Sequence, residues 1–182
     1  MGALRVEDAY PRYTYGDYVH WEGRWELING IAFAMSPAPL LKHQSITSKI
    51  NYQLYDLFKD CEACEVFQPV DWKIGEDTVV QPDNLVICHK QKNEKYLVKP
   101  PVIIFEVLSK STEKKDRLIK FDLYESEGVK YYFIVDPNEE VVKAYELKDG
   151  RYIKFGDFSD EKIGLEIEKC KKNLEFDFSK IW

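Results

Sequence analysis

Residues 79–109 read VVQPDNLVICHKQKNEKYLVKPPVIIFEVLS and contain two apolar, β-branched runs that are typical of neighbouring strands. The first run follows Pro82-Asp83, and the second carries a single acid, Glu106. A carboxylate inside an apolar run is costly to bury unless another group pairs with it. Two such acids at the ends of neighbouring strands can hold a hard divalent cation, so this stretch predicts a metal site.

The segment before this stretch predicts a short helix, a hairpin and a long helix. Thr14 and Asp17 form a capping-box pattern that opens a helix through about Val19. Asn29-Gly30, between apolar runs, is the favoured dipeptide of a type I′ hairpin turn. Apolar residues at 46, 50, 54 and 57 form one stripe, which predicts a helix over about 41–59.

The segment after this stretch predicts a βαβ unit. A strand over 102–108 is followed by a helix from about 113 to 127, which Gly128 ends, and by the strand KYYFIVDP. Leu118, Phe121 and the Tyr124/Glu125 turn are predicted to form the buried face of this helix. A hairpin over VVKAYEL and RYIKFGD, a strand over LEIE and a short C-terminal helix complete the chain. We therefore expect a mixed α/β fold, with a central mixed sheet flanked by helices and antiparallel hairpin extensions.

Length and composition are typical of one globular domain over residues 1–182. No apolar stretch approaches the roughly 18 residues that a membrane helix needs, and the N-terminus lacks a signal-peptide layout, so a cytoplasmic protein without a membrane partner is expected. The four cysteines are then expected to be thiols. A zinc site is a lesser alternative, because Cys61 and Cys64 form a CxxC whose remote partner would be Cys88-His89.

Charge is unevenly distributed along the chain. The net charge is −6, but residues 89–120 hold nine lysine or arginine residues and four acids, a local charge of +5, so the remainder carries −11. A basic segment beside an acidic site can position phosphates. The alternative is a solvated lysine-rich loop and helix face.

Four acids lie within apolar strand-like segments: Glu26, Asp71, Asp83 and Glu106. Asp83 and Glu106 are predicted to supply two ligands to Mg²⁺, and the carbonyl of Val107 a third. Such an ion would acidify a water and neutralise charge that builds on a phosphodiester.

The order of these motifs resembles the PD-(D/E)xK nuclease superfamily, and more specifically the Uma-type restriction-endonuclease-like family, formerly a domain of unknown function. The resemblance covers nearly the whole chain. Its matching stretches are YTYGDYVHW, RWELINGIAFAMSPAP with His43-Gln44, PVDW, VVQPDNLVIC, PPVIIFEVLSKST, Asp116, Lys120, Tyr124, Gly128-Val129 and YYFIVDP.

The resemblance implies a restriction-endonuclease-like core and a Mg²⁺-dependent DNA endonuclease, with Mn²⁺ as a possible substitute. Asp83 matches the aspartate of PD, Glu106 matches the acid of (D/E)xK, and Glu26 matches an acid from the N-terminal part of the fold. The usual lysine would fall at Leu108, which is a departure from the pattern. Lys120 matches a lysine that the following helix supplies instead, and it would orient the water or stabilise the transition state.

Several alternatives remain open from the sequence. Asp116, four residues before Lys120, would pair with that lysine, whereas His43 is expected at the surface or in a cap. The alternative to a site role for Glu26 is that it faces solvent from its strand. Asp71 is expected to be structural. The rival function is a nuclease fold retained for binding or assembly without turnover, which Leu108 favours. A homodimer through the hairpin of residues 140–158 is also expected, because cutting both DNA strands with one-site nucleases requires two copies.

Overall fold

The computed structural model describes residues 11–35, 40–91, 94–109, 115–170 and 173–182. Within these ranges the helical elements are α1 (Tyr15–Tyr18), α2 (Leu41–Phe58), a π-helical turn (Lys115–Ile119), α3 (Lys120–Glu127) and a 3₁₀ turn (Phe178–Lys180). The strands are β1 (Trp25–Ile28), β2 (Ile31–Ala34), β3 (Glu65–Phe67), β4 (Trp72–Lys73), β5 (Val79–Val80), β6 (Asn84–Ile87), β7 (Ile103–Val107), β8 (Tyr131–Asp136), β9 (Val141–Lys148), β10 (Arg151–Phe158), β11 (Lys162–Leu165) and β12 (Leu174–Asp177). Over the part of the chain that is described, no helix is long and apolar enough to cross a membrane.

The central sheet has six strands in the order β10-β9-β8-β7-β6-β3. β7 and β8 run parallel, and every other neighbouring pair in this sheet is antiparallel. The helical turn and α3 connect the two parallel strands, so the predicted βαβ unit and the mixed α/β fold class are confirmed. Gly128 ends α3 with φ +84°, a left-handed conformation that glycine adopts without strain.

A second sheet has four strands in the order β2-β1-β5-β4. The predicted hairpin joins β1 to β2 through Asn29 and Gly30, whose φ angles of +50° and +75° belong to a type I′ turn. The capping box at Thr14 is also present, with reciprocal bonds to Asp17 at the start of α1.

The chain breaks at Pro82-Asp83 and forms two strands, β5 and β6, in place of one continuous strand. β5 belongs to the four-stranded sheet and β6 to the six-stranded sheet, so Gln81, Pro82 and Asp83 carry the chain from one sheet to the other. Proline has no N–H for a ladder bond, which favours a break at this point. The segment from Cys61 to Gly75 divides in the same way, since β3 and β4 also join different sheets.

The central sheet is covered on both faces by apolar side chains. One cluster lies under α2 and the C-terminal segment, and it includes Ile50, Leu54, Phe105 and Phe176. The other lies under α3 and the second sheet, where Trp72 stacks near Tyr124 at a ring separation of 5.8 Å. Both faces of β6, which follows Asp83, and of β7, which carries Glu106, are therefore buried.

Two predictions near the helices and the C-terminus need correction. Leu118 does not help bury the helix after β7, because its side chain is 56% exposed. The predicted strand over LEIE is instead β11, which pairs with β12 and ends at Leu165. The predicted stop at 36–39 and the helix start at 111–113 lie outside the described residues.

The four cysteines are not free thiols as expected. Cys61 is paired with Cys170, and Cys64 with Cys88, as disulfides. All four side chains are buried where the end of α2, the end of β6 and the segment before β12 meet.

Candidate active site

Asp83 and Glu106 lie side by side at one end of the β6–β7 pair. Asn84 is paired with Phe105 in the antiparallel ladder, and continuing this register by one step places Asp83 opposite Glu106. The backbone N–H of Val107 donates a 2.9 Å hydrogen bond to Asp83 Oδ2. The break at Pro82 thus leaves Asp83 free of the ladder, with its carboxylate turned to the β7 backbone.

Glu106 is almost fully buried and has two strong partners on α3. Lys120 Nζ lies 2.8 Å from Glu106 Oε1, and the hydroxyl of Tyr124 donates to the same oxygen at 2.7 Å. Burial raises the pKa of Glu106 to about 8, because loss of hydration and the nearby charges of Asp116 and Asp83 outweigh the attraction of Lys120. Glu106 therefore holds its proton more tightly than an ordinary carboxyl.

Glu26 is fully buried, so the solvent-facing alternative for this residue is wrong. Its Oε1 lies 2.8 Å from Lys120 Nζ and accepts a 2.8 Å hydrogen bond from the backbone N–H of Gln81, while its Oε2 pairs with Lys115. Burial opposes ionisation of Glu26, but the charges of Lys120 and Lys115 hold its pKa below the usual value. The second sheet thus delivers an ionised carboxylate to the end of the central sheet.

Lys120 is the hub of this cluster, and its side chain is 1% exposed. Besides Glu26 and Glu106, it lies 3.4 Å from Asp116 Oδ1, the residue one turn earlier. Burial disfavours the ammonium, but the charges of Glu106 and Glu26 raise the pKa of Lys120 well above its usual value. Leu108, at the position of the usual lysine, is buried in the apolar cluster under α3.

His43 was misjudged as a surface or capping residue. Its Nε2 lies 3.3 Å from Asp83 Oδ2, and the Val107 carbonyl also hydrogen-bonds the ring. Burial lowers the pKa of His43, but the bond to Asp83 and its charge outweigh this effect and raise the pKa overall. The Thr47 hydroxyl, which bonds the His43 carbonyl at 2.8 Å, lies on the same face of α2. The helical spacing of His43 from Thr47 and Ile50 could have revealed this inward orientation.

Two further residues of the cluster were not singled out from the sequence as site residues. Tyr124 lies four residues after Lys120, a spacing that places both on one face of α3. Lys115 was counted only as part of the basic segment, although its ammonium reaches Glu26. Asp71 stays outside the cluster, where it accepts hydrogen bonds from the Tyr18 hydroxyl at 2.9 Å and the Gln81 amide at 2.7 Å.

A family model described as "Putative restriction endonuclease", that of the Uma2 family, matches residues 12–166. The chain belongs to the Uma2 family. Among solved structures, it is similar to a putative nuclease belonging to DUF820 from Anabaena variabilis, with a TM-score of 0.73 and 17% sequence identity over 92% of this chain and 96% of that chain. No match was found among curated proteins. The family and the shared fold confirm the predicted resemblance and the nuclease-like architecture.

The oxygen atoms of this Uma2 chain suit a hard divalent cation. Asp83, Glu106 and the Val107 carbonyl are all oxygen donors at one end of the β6–β7 pair, and Mg²⁺ prefers such donors. Among the described residues, the surrounding cluster contains four carboxyl and two ammonium groups. Its charge is −2 with His43 neutral when all four carboxyls are ionised, which requires Glu106 to release its proton as the cation binds. These groups are Glu26, Asp83, Glu106, Asp116, Lys115 and Lys120. A dication would balance this charge, so the donor set fits the implied metal.

The basic segment of this Uma2 chain is less available to a phosphate backbone than its charge suggests. Lys115 and Lys120 are buried in the cluster, and Arg117 pairs with Asp136 at 3.0 Å. Lys90 and Lys99 are exposed. Of the nine basic residues counted from the sequence, at least two therefore act inside the molecule.

Proposed function

We propose that this Uma2-family chain is a metal-dependent endonuclease that hydrolyses phosphodiester bonds in DNA. The observation that carries the proposal is the convergence of Asp83, Glu106 and Lys120 at one end of the β6–β7 pair. This arrangement matches the order of acids and lysine that the family resemblance implies, and the exposed lysines of the 89–120 segment favour DNA as the partner.

The proposed ligands of Mg²⁺, or of Mn²⁺ in its place, are Asp83, Glu106 and the carbonyl of Val107. A bound dication supplies charge neutralisation at the phosphate and a water of lowered pKa. The His43 ring, which hydrogen-bonds both Asp83 and the Val107 carbonyl, must turn aside or offer a neutral nitrogen when these oxygens bind a cation.

Lys120 is proposed to hold a proton and a positive charge beside the reacting phosphate. Glu26, Asp116 and Glu106 fix the position of its ammonium, and the raised pKa keeps it protonated over the physiological range. A fixed positive charge of this kind stabilises negative charge that develops in the transition state without reorganisation. Glu26 is then a positioning residue that acts through Lys120.

A second candidate function is a nuclease fold that binds DNA or assembles with a second copy but does not turn over. The specific observation in its favour is that Lys120 already has three carboxylate neighbours and is 1% exposed. A lysine held in this way also stabilises the fold, because removing it would leave buried charges without a counter-ion.

The deciding experiment compares Asp83→Asn with Asp177→Asn. Both aspartates are largely buried and accept a backbone N–H bond, Asp83 from Val107 and Asp177 from Ser179, but Asp177 lies on the β12 side of the fold. We expect Asp83→Asn to lower Mg²⁺- or Mn²⁺-dependent nicking of supercoiled DNA by at least about 100-fold, since even indirect metal partners are worth 10–100-fold. Asp177→Asn should retain wild-type cleavage.

Calorimetric titration with Mn²⁺ measures metal binding independently of DNA cleavage. Weaker Mn²⁺ binding by Asp83→Asn than by Asp177→Asn supports Asp83 as a metal ligand. Equal Mn²⁺ affinity of the two variants would contradict this assignment. Wild-type protein that binds Mn²⁺ and DNA without cleaving single-stranded, duplex or branched DNA would favour the second candidate.

We further propose that the active form is a homodimer through β10, the edge strand of the central sheet. The aromatic hairpin expected at this surface is partly internal, because Tyr152 is buried and Tyr145 packs edge-on against Phe121 at 4.9 Å. Ile153 and Phe155 remain exposed on β10 and support the pairing of a second copy. Two copies related by a two-fold axis would present one site to each strand of a duplex.

A further inference from the structure

The four cysteines come from three separate segments of the chain, and their sulfur atoms lie together in one cluster. The Sγ atoms of Cys61, Cys64 and Cys170 all lie within 4.8 Å of one another, and Cys88 is in contact with Cys64. Cys64 and Cys170, which belong to different pairs, have Sγ atoms 3.8 Å apart. All four side chains are at most 8% exposed.

We propose that the reduced chain binds one Zn²⁺ ion through the thiolates of Cys61, Cys64, Cys88 and Cys170. Zinc holds four thiolates in a tetrahedron with bonds of about 2.3 Å, so neighbouring sulfurs lie about 3.8 Å apart. The separation of Cys64 and Cys170 already equals this edge. A dithiol reductant first converts the two disulfides to four thiols and is itself oxidised to a disulfide for each S–S bond broken. Zinc binding then replaces four S–H bonds with four Zn–S bonds and releases four protons, with no further change of oxidation state.

Two of the four sulfurs come from one short turn, and the other two come from separate segments. Cys61 and Cys64 form a CxxC directly after α2, closed by a 2.9 Å bond from the Cys64 N–H to the Cys61 carbonyl. Cys170 follows a similar turn, in which its N–H bonds the Ile167 carbonyl at 2.8 Å. CxxC spacing is typical of structural zinc sites, and the two remaining cysteines complete a four-sulfur set.

The charges beside the cluster suit a zinc–thiolate centre. Four thiolates and one Zn²⁺ carry a net charge of −2, which nearby cations would stabilise. Lys169 donates a 2.7 Å hydrogen bond to the Cys88 carbonyl, so its ammonium lies beside the cluster.

This centre is distinct from the candidate active site in ligand chemistry and in role. Its donors are soft sulfurs, whereas Asp83 and Glu106 offer the hard oxygens that Mg²⁺ prefers. Four protein ligands leave no open position for substrate, so the ion would be structural. In the reduced chain it would take over from the two disulfides in tying the end of α2 to the end of β6 and to the segment before β12.

The test measures zinc and thiols in the purified full-length chain. Protein purified under reducing conditions should contain about one zinc per chain by plasma mass spectrometry, as expected for one closed four-ligand site. Mercurial modification of the thiols should release this zinc. Cys170→Ser should lose the ion, whereas Cys170→His, which retains a zinc ligand, should keep it. Ala63→Ser adds a hydroxyl to the exposed turn between the CxxC cysteines and should bind zinc as the wild type does.

Two outcomes would overturn the proposal. One is a wild-type chain that, after full reduction, takes up no zinc from an equimolar solution while its far-ultraviolet circular dichroism shows that it is folded. The other is equal zinc content in Cys170→Ser and wild type. Misfolding of Cys170→Ser would by itself cause loss of zinc. Zinc uptake by the reduced wild type therefore tests the proposal without relying on that variant.

Discussion

Glu26 and Glu106 share one lysine and yet differ in their protonation. Glu26 has a second cation, Lys115, and a backbone N–H, so its pKa is lowered. Burial dominates at Glu106, which also has two acidic neighbours, so its pKa rises to about 8. A pair of carboxyls with opposite shifts is typical of active sites, where one group must stay charged and another must exchange a proton.

This difference predicts a pH-dependent stability for the metal-free chain. Glu106 keeps its proton in the native state up to a pKa of about 8, whereas the unfolded chain releases it near pH 4.3. The native state therefore binds more protons in this window, and its free energy of unfolding falls as pH rises, by at most about 1.4 kcal/mol per pH unit. Glu106→Gln, always neutral, should lack this component between pH 5 and 8 in urea unfolding with EDTA.

Glu125→Gln is the matched control for that measurement. The Tyr152 N–H and Arg151 lower the pKa of Glu125, so its contribution to stability is lost as pH falls, below the window in question. Parallel stability curves for wild type and Glu106→Gln from pH 5 to 8 would contradict the raised pKa of Glu106.

The acids of the site and the pairing of Asp116 with Lys120 could be predicted from the sequence, but the other partners could not be derived from local patterns. Glu106 stands alone in an apolar run, and that pattern alone requires a buried counter-charge. Its partner Lys120 was reached through family resemblance, and the structure places the two atoms 2.8 Å apart. His43 was missed because an isolated histidine carries no signal unless the face of its helix is considered.

At the scale of elements, the π-helical turn before α3 explains why the helix face was misjudged. Its polar residues Lys115 and Asp116 are buried, whereas Leu118 and Ile119 are exposed. The spacing of apolar residues predicts which face of a helix is buried only when that face is apolar. It does not identify a helix face whose buried residues are charged. The wider turn of a π-helix, which is frequent at functional sites, brings these groups to the same side as Lys120.

The left-handed cap at Gly128 fixes the end of α3 and permits a second prediction at this scale. A Cβ at position 128 would meet no atom within 4 Å, so Gly128→Ala tests the φ of +84° alone. We expect a loss of about 1 kcal/mol in the free energy of unfolding, measured with urea, and a smaller loss for Gly128→Asn.

Gly164→Ala supplies the control for the cap. An added Cβ there also meets no atom within 4 Å, and Gly164 is not among the glycines with positive φ. The free energy of unfolding of Gly164→Ala should stay within about 0.5 kcal/mol of the wild-type value. Equal losses at positions 128 and 164 would show that the left-handed conformation is not what stabilises the end of α3.

At the scale of the molecule, local patterns predicted the mixed sheet but not the division of strands between two sheets. The hairpin at Asn29-Gly30 and the βαβ unit follow from turn chemistry and connection rules. The separation of β5 from β6 depends on pairing with β1, about 50 residues earlier. Long-range pairing of this kind has no local signature, yet it is what brings Glu26 to Lys120.

The exposed edge of the central sheet carries the last prediction, that of the homodimer. β10 has unpaired backbone groups on its outer side within the described chain, and Ile153 is 50% exposed on it. A hydrophobic edge strand of this kind is a template for pairing with a second chain unless charges protect it. Ile153→Lys places a charge directly at the proposed two-fold interface, where it would face its own copy. We expect this variant to sediment as the 21.5 kDa chain, whereas the wild type has twice that mass.

Val98→Lys is the matched control, because Val98 is also β-branched and 49% exposed but lies in the loop before β7. It should remain dimeric in equilibrium sedimentation at several concentrations. If the nuclease proposal also holds, Ile153→Lys should still nick supercoiled DNA but convert little of it to linear product, since a monomer offers one site to a duplex. A wild type that sediments as a monomer at all concentrations would remove the β10 interface while leaving the metal site untouched, because the ligand atoms of Asp83 and Glu106 all come from one chain.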